Sequence, residues 1–144
     1  MKFPKKKIKN IDSFYQEYIK VLNQTLKQVD IKKLKLISNL IEKKILEGKT
    51  IFVCGNGGSA AIANHFVCDY TKLLRSKTKL KPKVHSLSDN VELLTAISND
   101  FSYDEIFSKQ LEYYAQRDSL VLIISSSGNS KNVIKAIEYC NKNK

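Results

Sequence analysis

Residues 50–70, TIFVCGNGGSAAIANHFVCDY, decide the fold predicted for this chain. A short apolar run ends in a glycine-rich turn, GNGGS, and a helix-forming segment follows at once. In α/β proteins this order builds an anion site, because glycines let the backbone approach the ligand and the first N–H groups of the helix are unpaired. The turn lacks the spacing of a dinucleotide fingerprint and the Gly-Lys-Ser/Thr of a Walker A loop. The stretch therefore predicts a site for a phosphate or a sugar phosphate.

A second stretch, SLVLIISSSGNS at residues 119–130, repeats this arrangement. Its continuous run of Val, Leu and Ile is typical of a strand covered on both faces. Serine hydroxyls then precede a helical pattern that begins near Asn132, and such hydroxyls both cap helices and bind phosphate oxygens. Either loop alone fits a well-capped helix equally well. Two such loops after two parallel strands favour a ligand site.

Predicted strands alternate with predicted helices along the chain. We expect strands at residues 50–54, 84–87 and 119–124, and helices at 11–29, 31–45, 59–74, 91–97, 103–114 and from 132. This alternation predicts the α/β class, with a three-layer doubly wound parallel sheet whose ligands gather at the carboxyl ends of the strands. Asp12 or Ser13 is the expected cap of the first helix, Asp30 that of the second, and Gly48 is its stop signal.

The domain organisation expected from this pattern is a frayed basic arm followed by a single domain. The arm covers residues 1–10, and the domain, 11–144, consists of an N-terminal helical pair (11–48) and an αβ core (50–144). A lysine-rich loop is predicted at 72–83. Only three strands can be counted and the chain ends inside a helical pattern, so we expect C-terminal strands to be missing.

The composition excludes several classes of protein. The net charge is +11, but no groove-reading motif accompanies the lysines and only two arginines are present, so nucleic-acid binding is disfavoured. No segment is apolar enough to span a membrane or to serve as a signal peptide. Cys54, Cys68 and Cys140 are scattered in apolar surroundings and are interpreted as reduced core residues of a cytoplasmic protein.

The candidate chemical groups are few. His65 and Asp69 are four residues apart, so they share one helix face as metal ligands, as a general base beside a cation, or simply as a hydrogen-bonded surface pair. Two ligands do not complete a catalytic zinc site. Asn99 and Asp100 fit either sugar hydroxyl binding or capping of the next helix. His85, in a predicted strand, is interpreted as structural.

Three motifs together resemble a known family. CGNGGSAAIANHF at residues 54–66, SNDF at 98–101 and ISSSGNSKNVIKA at 124–136 resemble the sugar isomerase (SIS) domain, and within it the phosphoheptose isomerases. The resemblance implies a flavodoxin-like sheet, usually of five strands, in a cytoplasmic homotetramer with active sites between subunits. It implies an aldose–ketose isomerase that interconverts sedoheptulose 7-phosphate and D-glycero-D-manno-heptose 7-phosphate, for heptose in lipopolysaccharide or capsule.

The resemblance also assigns residues. His65 and Asp69 match the catalytic pair and would be ligands of a zinc ion. The residues that would bind substrate are Asn56, Gly57, Gly58, Ser59, Asn99, Asp100, Ser125, Ser126, Ser127 and Ser130.

Two departures from the family separate the possible functions. The family typically has a glutamate where this chain has Asp69, and it supplies a glutamine and a second histidine from a C-terminal helix that is not in this sequence, so the zinc ligand set is incomplete. The alternative function is a non-catalytic sugar-phosphate-binding adaptor, similar to the protein that associates with the DnaA initiator. The His65–Asp69 pair and the two intact loops favour the isomerase.

Overall fold

The computed structural model describes residues 3–4 and 7–143, so part of the predicted basic arm and Lys144 lie outside it. The chain divides into two compact units, Met1–Asn39 and Leu40–Lys144. The elements are α1 (Ile11–Leu26), α2 (Ile31–Leu46), β1 (Thr50–Gly55), α3 (Gly58–Cys68), a π-helix (Asp69–Leu74), α4 (Arg75–Lys77), β2 (Lys83–Ser86), α5 (Val91–Asp100), a 3₁₀ helix (Tyr103–Glu105), α6 (Ser108–Tyr114), β3 (Leu120–Ile124) and α7 (Lys131–Lys142).

The first unit contains α1 and the start of α2. The cap of α1 is Asn10, whose Oδ1 accepts the Ser13 N–H at 2.9 Å, so the predicted cap at Asp12 or Ser13 was wrong by two or three residues. The arm is not frayed at Phe3, because its ring packs edge-on against Phe14 at 5.5 Å between centroids. The apolar side chains of α1 form a stripe that is largely exposed, at Ile11, Phe14, Tyr15, Tyr18, Leu22 and Leu26.

The ends of α2 confirm the sequence signals. Asp30 Oδ1 accepts the N–H groups of Lys32 and Lys33 at 3.0 and 3.2 Å. After Leu46 the chain turns at Gly48, whose φ of +66° is readily adopted only by glycine. The last two turns of α2 belong to the second unit, where Ile41 and Ile45 pack against the sheet.

The sheet is parallel, with strand order β2-β1-β3. Alternate side chains of the central strand β1 face two separate helical layers. Phe52 and Cys54 pack against α5, α6 and α7, whereas Ile51 and Val53 pack against α3 and the end of α2. The predicted three-layer arrangement is therefore confirmed, and the buried apolar faces on both sides of β1 hold it together.

The structure corrects the predicted boundaries in three places. Helix continues from Asp69 to Lys77, first as a π-helix and then as α4, so the loop predicted at 72–83 is only 78–82. Helix α5 reaches Asp100, which places Asn99 and Asp100 in its last turn instead of beyond its end. The helix predicted at 103–114 is broken between Glu105 and Ser108, and the break turns both Ile106 and Phe107 into the core.

The three cysteines do not share one environment. Cys54 is buried, Cys140 is half-buried and Cys68 is exposed, so the prediction of three core cysteines was wrong for Cys68. Burial raises the pKa of the Cys54 thiol to about 12, which leaves it protonated and unreactive at neutral pH. Among the described residues, no helix combines the length and apolar character needed to cross a bilayer.

Candidate functional site

The two polar loops begin side by side at the carboxyl edge of the sheet. Gly55, the last residue of β1, pairs in register with Ile124, the last residue of β3. Each strand is followed by a turn and then by a helix, α3 or α7. The carboxyl edge of a parallel sheet is where such folds bind ligands, so the parallel pairing confirms that the loops share one edge.

The first loop exposes unpaired backbone donors. Gly57 has φ +54° and ψ −121°, a conformation that only glycine adopts readily. The N–H groups of Ser59 and Ala60 donate to the Asn56 and Gly57 carbonyls at 3.0 Å. Within the described part of the chain, the N–H groups of Gly57 and Gly58 donate to no acceptor. These N–H groups at the start of α3 are suited to an anion.

The second loop presents serine hydroxyls. Ser125 Oγ accepts the Gly128 N–H at 3.0 Å, and Ser127 Oγ accepts the Asn129 N–H at 3.2 Å. These bonds use hydroxyl lone pairs and leave the hydroxyl hydrogens available to a ligand. The hydroxyls of Ser126 and Ser130 make no hydrogen bond to any described residue, and they stand directly before α7. The loop thus offers four hydroxyl donors at a helix N-terminus.

A pair of carboxamides joins the two loops. Asn56 Nδ2 donates to Asn132 Oδ1 at 2.8 Å, and Asn132 Nδ2 donates back to Asn56 Oδ1 at 2.9 Å. The Tyr103 hydroxyl donates to the same Asn56 Oδ1 at 3.1 Å. A cavity of about 140 Å³ lies here and is lined by Gly55, Asn56, Gly57, Ala60, Ser88, Leu94, Tyr103, Ile106 and Phe107.

Ion pairs tie the 3₁₀ helix that carries Tyr103 to α7. Glu105 accepts hydrogen bonds from Lys135 Nζ and, at 2.8 Å, from Ser108 Oγ. These two donors, with Lys135 the larger effect, lower the pKa of the Glu105 carboxyl below its ordinary value. Asp104 and Lys131 form a second pair at 3.8 Å. The two pairs therefore help to hold the 3₁₀ helix against α7, and its Tyr103 hydroxyl reaches Asn56 of the first loop.

The catalytic candidates His65 and Asp69 do meet. His65 Nε2 lies 3.3 Å from Asp69 Oδ2, with the two side chains 76% and 47% exposed. Asp69 is the first residue of the π-helix, and π-helical segments occur frequently at functional sites. No cluster of three His, Cys, Asp or Glu side chains that could hold a metal occurs in the described ranges. The pair therefore does not form a zinc site by itself.

The structure brings together some of the predicted residues and separates others. Asn56 and Gly57 line the cavity beside the first loop, but the serines of the second loop do not, nor do Asn99 and Asp100. Asn99 instead donates to Asp100 Oδ1 at 2.9 Å on the exposed end of α5. The predicted substrate-binding role of these two residues stays a prediction.

Sequence reasoning missed three residues of the site: Tyr103, Asn132 and Ser88. Ser88 Oγ accepts the Gly55 N–H at 3.1 Å and donates to the Gly55 carbonyl at 2.9 Å, so it braces the start of the first loop. Asn132 gave a weak signal as the last residue of the SSSGNSKN run. Tyr103 and Ser88 gave none, because each acts through residues distant in sequence.

The fold and the paired loops define an α/β protein with a candidate anion site at the carboxyl edge of a parallel sheet. The model of the SIS domain family matches residues 13–144, and the chain belongs to this family. It is 41% identical over 109 residues to the phosphoheptose isomerase of Campylobacter concisus, covering 76% of this chain and 57% of that protein. It is 37% identical over 128 residues to that of Thermodesulfovibrio yellowstonii, covering 89% of this chain and 63% of that protein.

A solved structure agrees with these sequence relatives. The phosphoheptose isomerase of Neisseria gonorrhoeae superposes with a TM-score of 0.79 at 30% identity, over 92% of this chain and 67% of that one. The chain spans about three fifths of the length of the two curated relatives named above. The similarity thus confirms the predicted family and the α/β fold.

Proposed function

We propose that this chain binds a seven-carbon sugar phosphate and isomerises it between ketose and aldose, as the names of its relatives suggest. In this proposal sedoheptulose 7-phosphate is converted to D-glycero-D-manno-heptose 7-phosphate, for heptose in a surface polysaccharide. The observation that supports the proposal is that one continuous helical segment begins with unpaired N–H groups, in α3, and carries the His65–Asp69 pair, with Asp69 opening the π-helix that follows α3.

The spacing along α3 fits a substrate of this length. His65 follows Gly58, the first residue of α3, by seven residues, which corresponds to roughly 10 Å along the helix axis. In a heptose 7-phosphate, seven bonds separate the phosphorus from C2. When the chain is extended, these bonds span about 8 Å. The two lengths are comparable, which supports a substrate whose phosphate lies at the loops and whose C1 and C2 lie near His65 and Asp69.

The proposed reaction is proton transfer between C1 and C2 through an enediol. The Asp69 carboxylate removes the proton from C1 of the ketose while the C2 carbonyl oxygen gains a proton from His65, which gives the enediol. His65 then takes the C1 hydroxyl proton while Asp69 returns its proton to C2, which gives the aldose and restores both side chains. The two loops hold the phosphate, so binding energy remote from the reacting carbons orients them.

Zinc is a separate proposal. Histidine and aspartate side chains such as His65 and Asp69 are common zinc ligands, but a zinc ion at this pair would need at least one further ligand from outside the described residues. The proton transfers above are therefore assigned to the chain's own side chains.

The binding part of the proposal is tested at Ser126. Its hydroxyl makes no hydrogen bond to the described residues, so its removal leaves the turn intact. Ser126→Ala is expected to weaken the binding of sedoheptulose 7-phosphate roughly tenfold or more, because a hydrogen bond to a charged group is lost. Isothermal titration calorimetry measures this loss.

The matched control for Ser126 is Ser119→Ala. Ser119 precedes β3 at the opposite end of the strand, where its hydroxyl accepts the Gln116 N–H at 3.1 Å. This variant is expected to bind the sugar phosphate as the wild type does. Equal affinities of wild type and Ser126→Ala would remove the serine loop from the site.

We also propose that the chain assembles as a homotetramer in the cytoplasm. The support is the exposed apolar stripe of α1, which includes Tyr15, at 59% exposure, and Leu26, at 59%. A large exposed apolar stripe is typical of an interface. Three unpaired cysteines suit a reducing compartment. Sedimentation equilibrium is expected to give four times the chain mass, and a monomer mass would contradict the assembly.

A further inference from the structure

The carboxamides of Asn56 and Asn132 form a closed pair, which we call the amide pair. Its two hydrogen bonds, at 2.8 and 2.9 Å, connect residues 76 positions apart in the sequence. Asn132 is 1% exposed, so no ligand reaches its side chain. Asn56 is half-buried and lines the cavity beside the first loop. One member of the pair therefore faces the ligand site and the other supports it.

Neighbouring groups fix which way each carboxamide points. The Val133 N–H donates to Asn132 Oδ1 at 2.9 Å, which identifies that atom of the carboxamide as the oxygen. The other terminal atom of Asn132 is therefore Nδ2, and it donates to Asn56 Oδ1. Asn56 Oδ1 then accepts two hydrogen bonds, one from Asn132 Nδ2 and one from the Tyr103 hydroxyl at 3.1 Å. A carbonyl oxygen has two lone pairs, and both are used.

The remaining capacity of Asn56 is a single donor. Its Nδ2 carries two hydrogens, and one of them is bonded to Asn132 Oδ1. The other makes no hydrogen bond to any described residue. Asn56 can thus donate to a ligand oxygen, and it cannot turn its own oxygen toward the ligand without breaking two hydrogen bonds. A carboxamide that turned its oxygen toward a phosphate oxygen would repel it, since both atoms carry negative charge and neither has a hydrogen to donate.

We propose that Asn132 and Tyr103 are positioning residues that hold Asn56 as a hydrogen-bond donor to an oxygen of the bound sugar phosphate. The proposal rests on the proposed function, because it takes the ligand to be a sugar phosphate. Tyr103 is placed for this task by the ion pairs of Asp104 and Glu105 with α7. Asn132 is placed by its position in the first turn of α7. Asn132 is too deeply buried to touch the ligand, whereas the Tyr103 hydroxyl, which borders the same cavity as Asn56, acts through its hydrogen bond to Asn56.

A double-mutant cycle on ligand affinity tests the proposal. Tyr103→Phe removes one hydroxyl from a ring that is 56% exposed, so the fold is expected to be kept. Asn132→Leu replaces the buried carboxamide with a side chain of similar volume. Each is combined with Asn56→Ala, and the dissociation constants for sedoheptulose 7-phosphate and for inorganic phosphate are measured by calorimetry on folded protein.

Tyr103→Phe is expected to weaken sedoheptulose 7-phosphate binding roughly three- to tenfold, which corresponds to the loss of one hydrogen bond. In the Asn56→Ala background the same change is expected to have no effect, because its action passes through Asn56. Asn132→Leu is expected to behave in the same way, with a larger loss.

Two results would overturn the proposal. Tyr103→Phe with unchanged affinity, or with the same loss in the presence of Asn56→Ala, would show that Tyr103 does not act through Asn56, even if Asn132→Leu fails to fold. Wild-type protein that binds inorganic phosphate but not sedoheptulose 7-phosphate would overturn the proposed function as well. The first pair of results leaves the sugar phosphate function standing, so the two failures are distinguishable.

Discussion

Gly55→Ala is expected to destabilise the chain by about 1–3 kcal/mol and to abolish the binding of sugar phosphate. A β-carbon at residue 55 would lie 2.8 Å from the Ile124 carbonyl oxygen and 2.7 Å from Ser59 Cβ. The first contact is with backbone of the neighbouring strand, which cannot move without breaking the pairing of β1 with β3. Relief of the clash would shift the first residues of α3, and with them the N–H groups that face the anion.

Gly58→Ala is the matched control for this variant. A β-carbon at Gly58 would have no neighbour within 4 Å, and residue 58 opens helix α3. Alanine there is expected to leave stability unchanged or to raise it by up to about 1 kcal/mol, since it reduces the freedom of the unfolded chain. Urea denaturation followed by circular dichroism measures both variants. A Gly55→Ala protein as stable as Gly58→Ala would contradict the close approach of the strand and the loop.

Asp69→Asn is expected to slow proton exchange at C1 and C2 of the sugar roughly a hundred- to ten-thousandfold, the range over which one acid–base group contributes. A carboxamide has nearly the same shape as the carboxylate but does not accept a proton at neutral pH. The affinity for the sugar phosphate is expected to change little, because the proposed phosphate site is at the loops and not at Asp69. Solvent deuterium incorporation, measured by NMR, separates the two effects.

Two further variants control for the loss of a charge. Asp118→Asn removes a carboxylate whose Oδ2 lies 3.5 Å from Lys49 Nζ, before β3 and therefore at the other end of the sheet, and it is expected to keep the full exchange rate. Asp69→Glu introduces the glutamate that is typical of the family and is expected to retain activity. Undiminished exchange in Asp69→Asn would assign the proton transfer to another group.

Local features of the sequence predicted the sheet and the two loops correctly. The runs before GNGGS and SSSGNS are short, apolar and closed by glycine or serine, so strand, turn and helix are each specified by neighbouring residues. The cap at Asp30 and the stop at Gly48 were also predicted correctly, because each depends only on neighbouring residues of α2. The site could be placed at the carboxyl edge because that position follows from parallel topology alone.

Features that depend on distant residues could not be predicted. The amide pair joins Asn56 to Asn132 across 76 positions, and no local pattern indicates it. The exposure of Cys68 depends on which face of α3 meets the sheet, although its neighbours are apolar. The break after Glu105 follows from the burial of Ile106 and Phe107, which outweighs a helical pattern that otherwise runs through.

The central claim is that the loops and the His65–Asp69 pair act together on one sugar phosphate. It is tested most directly by incubating the chain with sedoheptulose 7-phosphate in D₂O, with and without zinc, and following the sugar by NMR. If the chain is an isomerase, we expect deuterium at C1 or C2 and the appearance of an aldoheptose phosphate. Sugar phosphate that binds but takes up no deuterium under either condition would contradict the isomerase and identify a binding protein without catalysis.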